Sequence, residues 1–170
     1  MLDAALADGG SRLIVQARTL AATVALARDD LDTARLHLAQ VDELTPDWPA
    51  IYPQLLASIE LTRGCILLRE GRLEESLVAM RASGEVALAS GDHPIIAQVA
   101  LGFGELAVAR GELEEAFRAL ELAAAIRGVL ESADPRVAAI LAAIGDDRKR
   151  ELAEASPRPV AVEGLRELLS

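Results

Sequence analysis

Aromatic residues are almost missing from this chain of 170 residues. They make up 2% of it, as Trp48, Tyr52, Phe103 and Phe117, although hydrophobic residues reach 52%. Sheets favour aromatic and β-branched side chains, whereas alanine and leucine, which are abundant here, favour closely packed helices. The composition therefore predicts an all-α fold, and the length is sufficient for one domain with its own core.

Cysteine and basic residues are also scarce. The single cysteine, Cys65, excludes an internal disulfide and permits a reducing compartment. Lys and Arg number 17 against 27 Asp and Glu, which gives a formal net charge of -10. So acidic a surface repels phosphate backbones, and we expect no direct nucleic-acid binding by this chain. The one basic run, residues 148–150, follows two acids and is typical of an ordinary surface helix.

Long apolar runs are absent as well. No stretch approaches the ~18 uninterrupted apolar residues of a membrane span. Residues 1–5 lack the basic region and the apolar core that a signal peptide begins with. We therefore expect a cytoplasmic location and no membrane partner.

One turn pattern is present three times, in residues 27–34, 68–76 and 108–116. Gly71 and Gly111 stand where a chain that leaves a helix needs a positive φ, which glycine adopts at the lowest cost. Self-similarity at a period of about 40 residues is the signature of a solenoid, in which each unit buries its apolar face against its neighbours.

Prolines mark the other boundary of each unit. Pro53, Pro94 and Pro135 are 41 residues apart, and proline is favoured in the first turn of a helix. Asp134 is the predicted N-cap of the helix that Pro135 begins. The predicted helices are 11–28, 31–44, 51–70, 73–90, 94–110, 112–127, 135–145, 147–155 and 160–169.

The beginning of the chain resembles the end of a unit. Residues 5–10 match residues 87–92, which lie two periods further on. Residues 1–8 are therefore predicted to be the tail of a hairpin whose first helix is absent, with Leu2 and Leu6 packed on the first full unit. On this interpretation the chain is a fragment of a larger protein; a short native N-terminal helix is the alternative.

The small residues of the units resemble the tetratricopeptide family. The family's pattern has a glycine in the first helix, small residues in the second and a proline at the end. Matching residues are Ala22, Ala34 and Pro46 in the first unit, Gly64 and Ser76 in the second, and Gly104, Ala116 and Ala123 in the third. The chain departs from the family where Glu60 and Leu67 stand at its usual Trp and Tyr positions, and in a period longer than 34 residues. The resemblance implies one domain over residues 1–170, a right-handed solenoid of stacked antiparallel helix hairpins.

A narrower resemblance covers residues 94–169. An Ala-rich helix followed by the segments 125–128, 134–138, 143–147 and 162–166 is similar to the C-terminal tail of large actinobacterial-type transcriptional regulators. In those proteins a DNA-binding domain and an ATPase domain precede a tetratricopeptide-like tail. The resemblance implies that both domains lie upstream, since this chain contains no Gly-x-x-x-x-Gly-Lys-Ser/Thr motif.

Residues with catalytic potential are few and scattered. His37 and His93 have no second histidine or cysteine at a metal-ligand spacing. The acidic pairs 74–75 and 114–115 open predicted helices, where carboxylates complement the helix dipole. We therefore predict a protein that is not an enzyme and that uses neither a cofactor nor a metal.

Polar residues form columns across the units. Gln16, Ser58 and Gln98 occupy one repeat position, and Thr23, Cys65 and Glu105 another; within one helix, Ser58, Thr62, Cys65 and Arg69 share a face. First helices line the concave side of tetratricopeptide-like stacks, so these eight residues are the candidate groove for a protein or peptide segment of a regulator's partner. Two readings stay open, because small polar residues also fit contacts between Ala-rich helices. The alternative functions are a small-molecule sensor and an oligomerisation module, and a homo-oligomer is possible.

Overall fold

The computed structural model describes the backbone of residues 2–45, 52–128, 134–155 and 161–169, and their side chains except 2–9, 11, 155 and 161–163. These ranges are all-α and contain no strand. The helices are α1 (Leu2–Ala27), α2 (Leu31–Leu44), α3 (Pro53–Arg69), α4 (Leu73–Ser90), α5 (His93–Arg110), α6 (Leu113–Arg127), α7 (Pro135–Ile144), α8 (Asp146–Ala155) and α9 (Ala161–Leu169).

The predicted helices agree with these bounds to within two residues, apart from the first. Proline lies in the first turn of α3, α5 and α7, where its missing N–H leaves no acceptor unpaired. Asp134 is the N-cap of α7, and its carboxylate accepts a hydrogen bond of 2.9 Å from the backbone N–H of Arg136. The proline spacing and the cap therefore located the starts of the first helices correctly.

The first helix corrects one prediction. A break at residues 9–10 was expected by analogy with Gly91, but α1 runs from Leu2 to Ala27 without interruption. Gly91 takes a φ of 65° and ends α4, whereas Gly10 is not among the residues with positive φ. A glycine inside a helix costs only ~1 kcal/mol, so the apolar sequence that follows continues the helix. The side chains of Leu2 and Leu6, for which packing was predicted, lie outside the described residues.

The three repeated turns have the same backbone geometry. Gly71 and Gly111 have φ values of 74° and 77°, and Asp29 takes the equivalent position with a φ of 60°. In each turn the N–H after the left-handed residue donates to a carbonyl five residues earlier, as in a Schellman motif. These bonds join Asp30 to Ala25 at 2.9 Å, Arg72 to Leu67 at 3.0 Å and Glu112 to Ala107 at 2.9 Å.

The turns produce consecutive helix pairs. The first helix of each pair packs on the second: α1 on α2, α3 on α4 and α5 on α6. Neighbouring pairs meet through α2 and α3 and through α4 and α5, while α1, α3, α5 and α7 contact one another in chain order. Helix α9 closes the far end by packing on α6 and α4, and α8 contacts α7. The first helices of successive pairs therefore lie side by side.

Small residues allow each pair to pack closely. The hydroxyl of Ser76 donates to the carbonyl of Gly64 at 2.8 Å, and a Cβ on Gly64 would lie 2.8 Å from Cγ of Met80. Ala22 and Ala34, at the corresponding positions of the first pair, are fully buried. The small residues that carry the family resemblance thus lie at helix contacts; Pro46 lies outside the described residues.

We predict opposite effects for alanine at two glycines. Gly111→Ala should lower the free energy of unfolding by about 1 kcal/mol, because a Cβ is strained at a φ of 77°. Gly10→Ala should raise it by about 0.5 kcal/mol, because Gly10 is helical and a Cβ there would meet no atom within 4 Å. Urea unfolding of the two variants measures both changes, and effects of the same sign would contradict the assigned backbone conformations.

Candidate functional site

The upper polar column lines two cavities on the first helices. The larger, of about 340 Å³, lies between α1 and α3 and reaches Ile95 of α5. Gln16 and Ser58 both line it, and Gln98 lines the smaller cavity of about 290 Å³. Ile95 contributes to both cavities, so the two adjoin. The three residues of this column therefore face one continuous stretch of surface.

The larger cavity combines polar groups with apolar side chains. Cζ of Arg12 lies 4.3 Å from the centroid of the Tyr52 ring, a cation–π contact across the cavity mouth. Within the described part of the chain, the carboxamides of Gln16 and Gln54 make no hydrogen bond, which leaves donors and acceptors for a ligand. The complete lining is Arg12, Gln16, Thr19, Leu20, Thr23, Tyr52, Gln54, Leu55, Ser58 and Ile95.

Hydroxyl groups along the cavity are already committed as donors. Ser58 donates to the carbonyl of Gln54 at 2.9 Å, and Thr23 donates to the carbonyl of Thr19 at 3.0 Å. Their oxygen lone pairs remain able to accept. The hydroxyls therefore favour a ligand that presents N–H or O–H groups to this wall.

The smaller cavity lies at the start of α5 and the end of α6. His93, Pro94, Ile95, Gln98, Ile126 and Arg127 line it. Arg127 is held at its edge by Asp134, with Nη1 and Oδ2 3.5 Å apart. Neither cavity has an aspartate or a glutamate among its described lining residues, although the chain has a formal net charge of -10.

The lower column lies at helix contacts. The hydroxyl oxygens of Thr23 and Thr62 are 3.4 Å apart, so this pair joins α1 to α3, and Thr62 is only 5% exposed. Cys65 is partly buried against the main core. Arg69 lies at the end of α3, where Nη1 is 3.3 Å from Oδ1 of Asp29 in the preceding turn. Arg69 therefore ties two units together and does not line either cavity.

A buried ion pair joins α5 to α7. Nη2 of Arg136 donates to Oε2 of Glu105 at 2.6 Å, and Nη1 donates to Oε1 of Gln98 at 3.1 Å. The side chains of Arg136 and Glu105 are 25% and 16% exposed. The sequence columns missed Arg136, because it belongs to a fourth first helix; its place one residue after Pro135 is the signal that leads to it.

Burial controls the chemistry of the thiol. Desolvation raises the pKa of Cys65 to about 11, while the charge of Arg136 acts in the opposite direction and Glu105 adds to the rise. A thiol is a nucleophile only as the thiolate, so Cys65 is unreactive near neutral pH.

The eight predicted site residues therefore divide into two groups. Gln16, Thr23, Ser58 and Gln98 line the cavities. Thr62, Cys65, Arg69 and Glu105 occupy contacts between helices or ion pairs. Each of the two readings left open by the sequence thus describes part of the set, and Arg12, Tyr52 and Gln54 are cavity residues that the columns did not include.

No metal-ligand cluster of three or more His, Cys, Asp or Glu side chains occurs in the part of the chain that the structure describes. His37 instead has Nδ1 3.2 Å from Nη1 of Arg18. None of the described helices is long and apolar enough to cross a membrane. No family model, curated protein or solved structure matches this chain.

We predict that the Arg136–Glu105 pair is coupled. Arg136→Leu and Glu105→Leu should each lower the free energy of unfolding by about 2 kcal/mol, because each leaves a largely buried charge without its partner. The double variant should recover at least half of the summed loss. Arg148→Leu, which removes the exposed pair with Glu151, is the control and should cost under about 0.5 kcal/mol. Additive losses in the double variant would show that the two side chains do not interact.

We also predict slow alkylation of Cys65 with an alkaline pH dependence. At pH 8 its rate should be at least about 100-fold lower than that of an exposed cysteine introduced as Arg28→Cys in a Cys65→Ser background. Because the folded pKa is raised, the thiolate fraction and the rate should keep rising up to about pH 11, as long as the protein stays folded. A plateau near pH 9, as the control should show, would contradict the burial of the thiol.

Proposed function

We propose that this chain is a non-catalytic peptide-binding module whose groove runs along α1, α3 and α5. One observation carries the proposal: two adjoining cavities, lined by Gln16, Ser58 and Gln98 from three successive pairs, share the side chain of Ile95. An extended segment laid across the first helices would contact each pair in turn. Repeat proteins commonly bind their partners along such surfaces.

Exposure of the lining supports a peptide rather than an enclosed metabolite. Gln16, Thr23 and Gln54 are exposed, and Leu20 is 64% exposed although it lines the larger cavity. Small-molecule sites bury most of the ligand surface, which a wall of exposed side chains does not do. A peptide that buries part of its surface and leaves the rest in water fits this groove.

The charges of the lining favour an acidic peptide. Arg12 supplies a guanidinium to the larger cavity, and His93 and Arg127 lie along the smaller one, without an acidic neighbour among the described lining residues. A peptide carboxylate at Arg12 would form a charge-assisted hydrogen bond. An apolar peptide side chain would pack on Leu20, Leu55 and Ile95.

The wider context of the proposal is a right-handed solenoid of stacked hairpins that forms the tail of a cytoplasmic transcriptional or signalling regulator. Contacts between each helix pair and the next support the stack. The regulatory role and the tetratricopeptide kinship rest on the sequence resemblance. In such a regulator, peptide capture by the tail would control domains carried elsewhere in the protein.

A small-molecule sensor is the second candidate. The larger cavity, at about 340 Å³, lies within the size range of ligand sites. This function would require a ligand to shift the populations of the helix pairs. It differs from peptide capture in that closure of the cavity must accompany binding.

Peptide-display selection on the folded chain tests the proposal. We expect the selected peptides to be enriched in Asp and Glu, and Arg12→Glu to weaken their binding at least about tenfold through lost charge pairing. Arg28→Glu is the matched control, since Arg28 is an exposed arginine at the end of the same helix that lines neither cavity. We expect less than about a twofold effect for this control.

Two outcomes would contradict peptide capture. Selected peptides without acidic enrichment, or equal effects of Arg12→Glu and Arg28→Glu, would remove the electrostatic basis for the groove. Failure of any peptide to bind, together with thermal stabilisation by a small anionic compound that Arg12→Glu abolishes, would favour the sensor.

A further inference from the structure

Helix α1 presents an apolar stripe on the side opposite its buried face. Leu13, Leu20 and Val24 are 67%, 64% and 42% exposed, and Ala17 between them is also exposed. Their spacings of four, three and four residues place them on one helical face. The opposite face, which contains Val15 and Ala22, is fully buried.

The stripe differs from an ordinary solvent-facing helix surface. Between residues 13 and 27 the only charged residue is Arg18, and its guanidinium is directed at His37 of α2. A helix face that stays in water normally carries charged or polar side chains. A run of exposed apolar residues without charges is the mark of an interaction surface.

The repeat identifies what covers this stripe. In α3, 42 residues further on, the same positions are Leu55, Ile59, Thr62 and Ile66. Ile59 and Ile66 are 5% and 4% exposed and belong to one cluster with residues of α1 and α2, and Leu55 packs against that cluster. The Thr62 hydroxyl lies against Thr23 of α1. The α1/α2 pair therefore covers these positions on α3.

Helix α5 shows the same relation to the pair before it. Its equivalent positions are Ile95, Val99, Gly102 and Leu106. Val99 and Leu106 are 0% and 2% exposed. A Cβ on Gly102 would lie 2.9 Å from Cδ1 of Leu61 and 3.4 Å from Cε of Met80, which belong to α3 and α4. In two successive units, then, a helix pair buries this face.

We propose that the outer face of α1 docks a helix pair of the same repeat type, arranged on α1 as the α1/α2 pair is arranged on α3. The covering surface would be rich in alanine, leucine and valine, as are Val15, Ala34 and Val41 in the existing junction. This partner surface is separate from the peptide groove and does not depend on it.

The chemistry of the junction can be specified further. Two ion pairs tie α3 to the preceding pair, Arg63 with Asp42 at 2.7 Å and Arg69 with Asp29 at 3.3 Å. The positions of Arg63 and Arg69 are taken in α1 by Ala21 and Ala27. The docking face of α1 is therefore held by apolar contacts alone, and its affinity should depend little on salt.

Duplicating one unit tests the proposal in the full chain. A variant consisting of residues 1–52 followed by residues 11–170 places an α1/α2 pair before an inner copy of α1, with the native spacing of 42 residues. If the face fits such a pair, the thermal midpoint should rise by about 5 °C over the parent, because the stripe of the inner copy becomes buried. The transition should remain single and cooperative.

The same substitutions in the two copies supply the matched control. Leu20→Glu with Val24→Glu in the inner copy should cancel the gain, because two carboxylates would be buried in an apolar junction. In the outer copy, which stays exposed, they should move the midpoint by less than about 2 °C. Equal effects in both copies, or no gain from the duplication, would overturn the proposal.

The oligomeric state of the parent decides the remaining alternative. We expect sedimentation velocity to show that Leu20→Glu leaves the mass of the parent unchanged. A parent dimer that Leu20→Glu dissociates would instead show that a second copy occupies the stripe, helix against helix, and would also overturn the proposal.

Discussion

The left-handed residue that ends each first helix is the constraint on which the rest of the structure depends. A positive φ at Asp29, Gly71 and Gly111 lets the next N–H return to a carbonyl of the helix just completed. That bond fixes where the second helix begins and forces it back along the first. Because the three turns share one geometry, equivalent residues of successive pairs meet equivalent surroundings.

Close packing follows from the same register. A turn of fixed length brings Gly64 opposite Ser76 and Ala22 near Ala34, and only small side chains fit there. The scarcity of aromatics is a consequence, since a helix pair at this separation has little room for a ring. Large apolar side chains are instead placed between pairs, as with Ile59 and Ile66.

The functional surfaces are the places where this repeating burial is incomplete. Cavities remain along the first helices where Gln16, Ser58 and Gln98 replace larger side chains, and the cations that line them contrast with the acidic rest of the molecule. The outer face of α1 has the apolar character of a junction without the neighbour that covers its counterparts on α3 and α5. Peptide capture and docking of a further pair would thus use two different faces of α1.

The sequence by itself determined the helices and their turns, because these depend on local chemistry: proline in a first turn, Asp134 as a cap, and Gly71 and Gly111 at positive φ. It was wrong at Gly10, where a motif like that of Gly91 continues as helix, since glycine permits a left-handed turn without requiring one. Only the tertiary structure separated Gln16, Ser58 and Gln98, which line cavities, from Thr62, Cys65 and Glu105, which lie at helix contacts. It also brought Arg136 to Glu105 and Arg12 to Tyr52. These pairings join residues distant in the chain, and helical periodicity specifies the face of a helix but not what the neighbouring helix places against it.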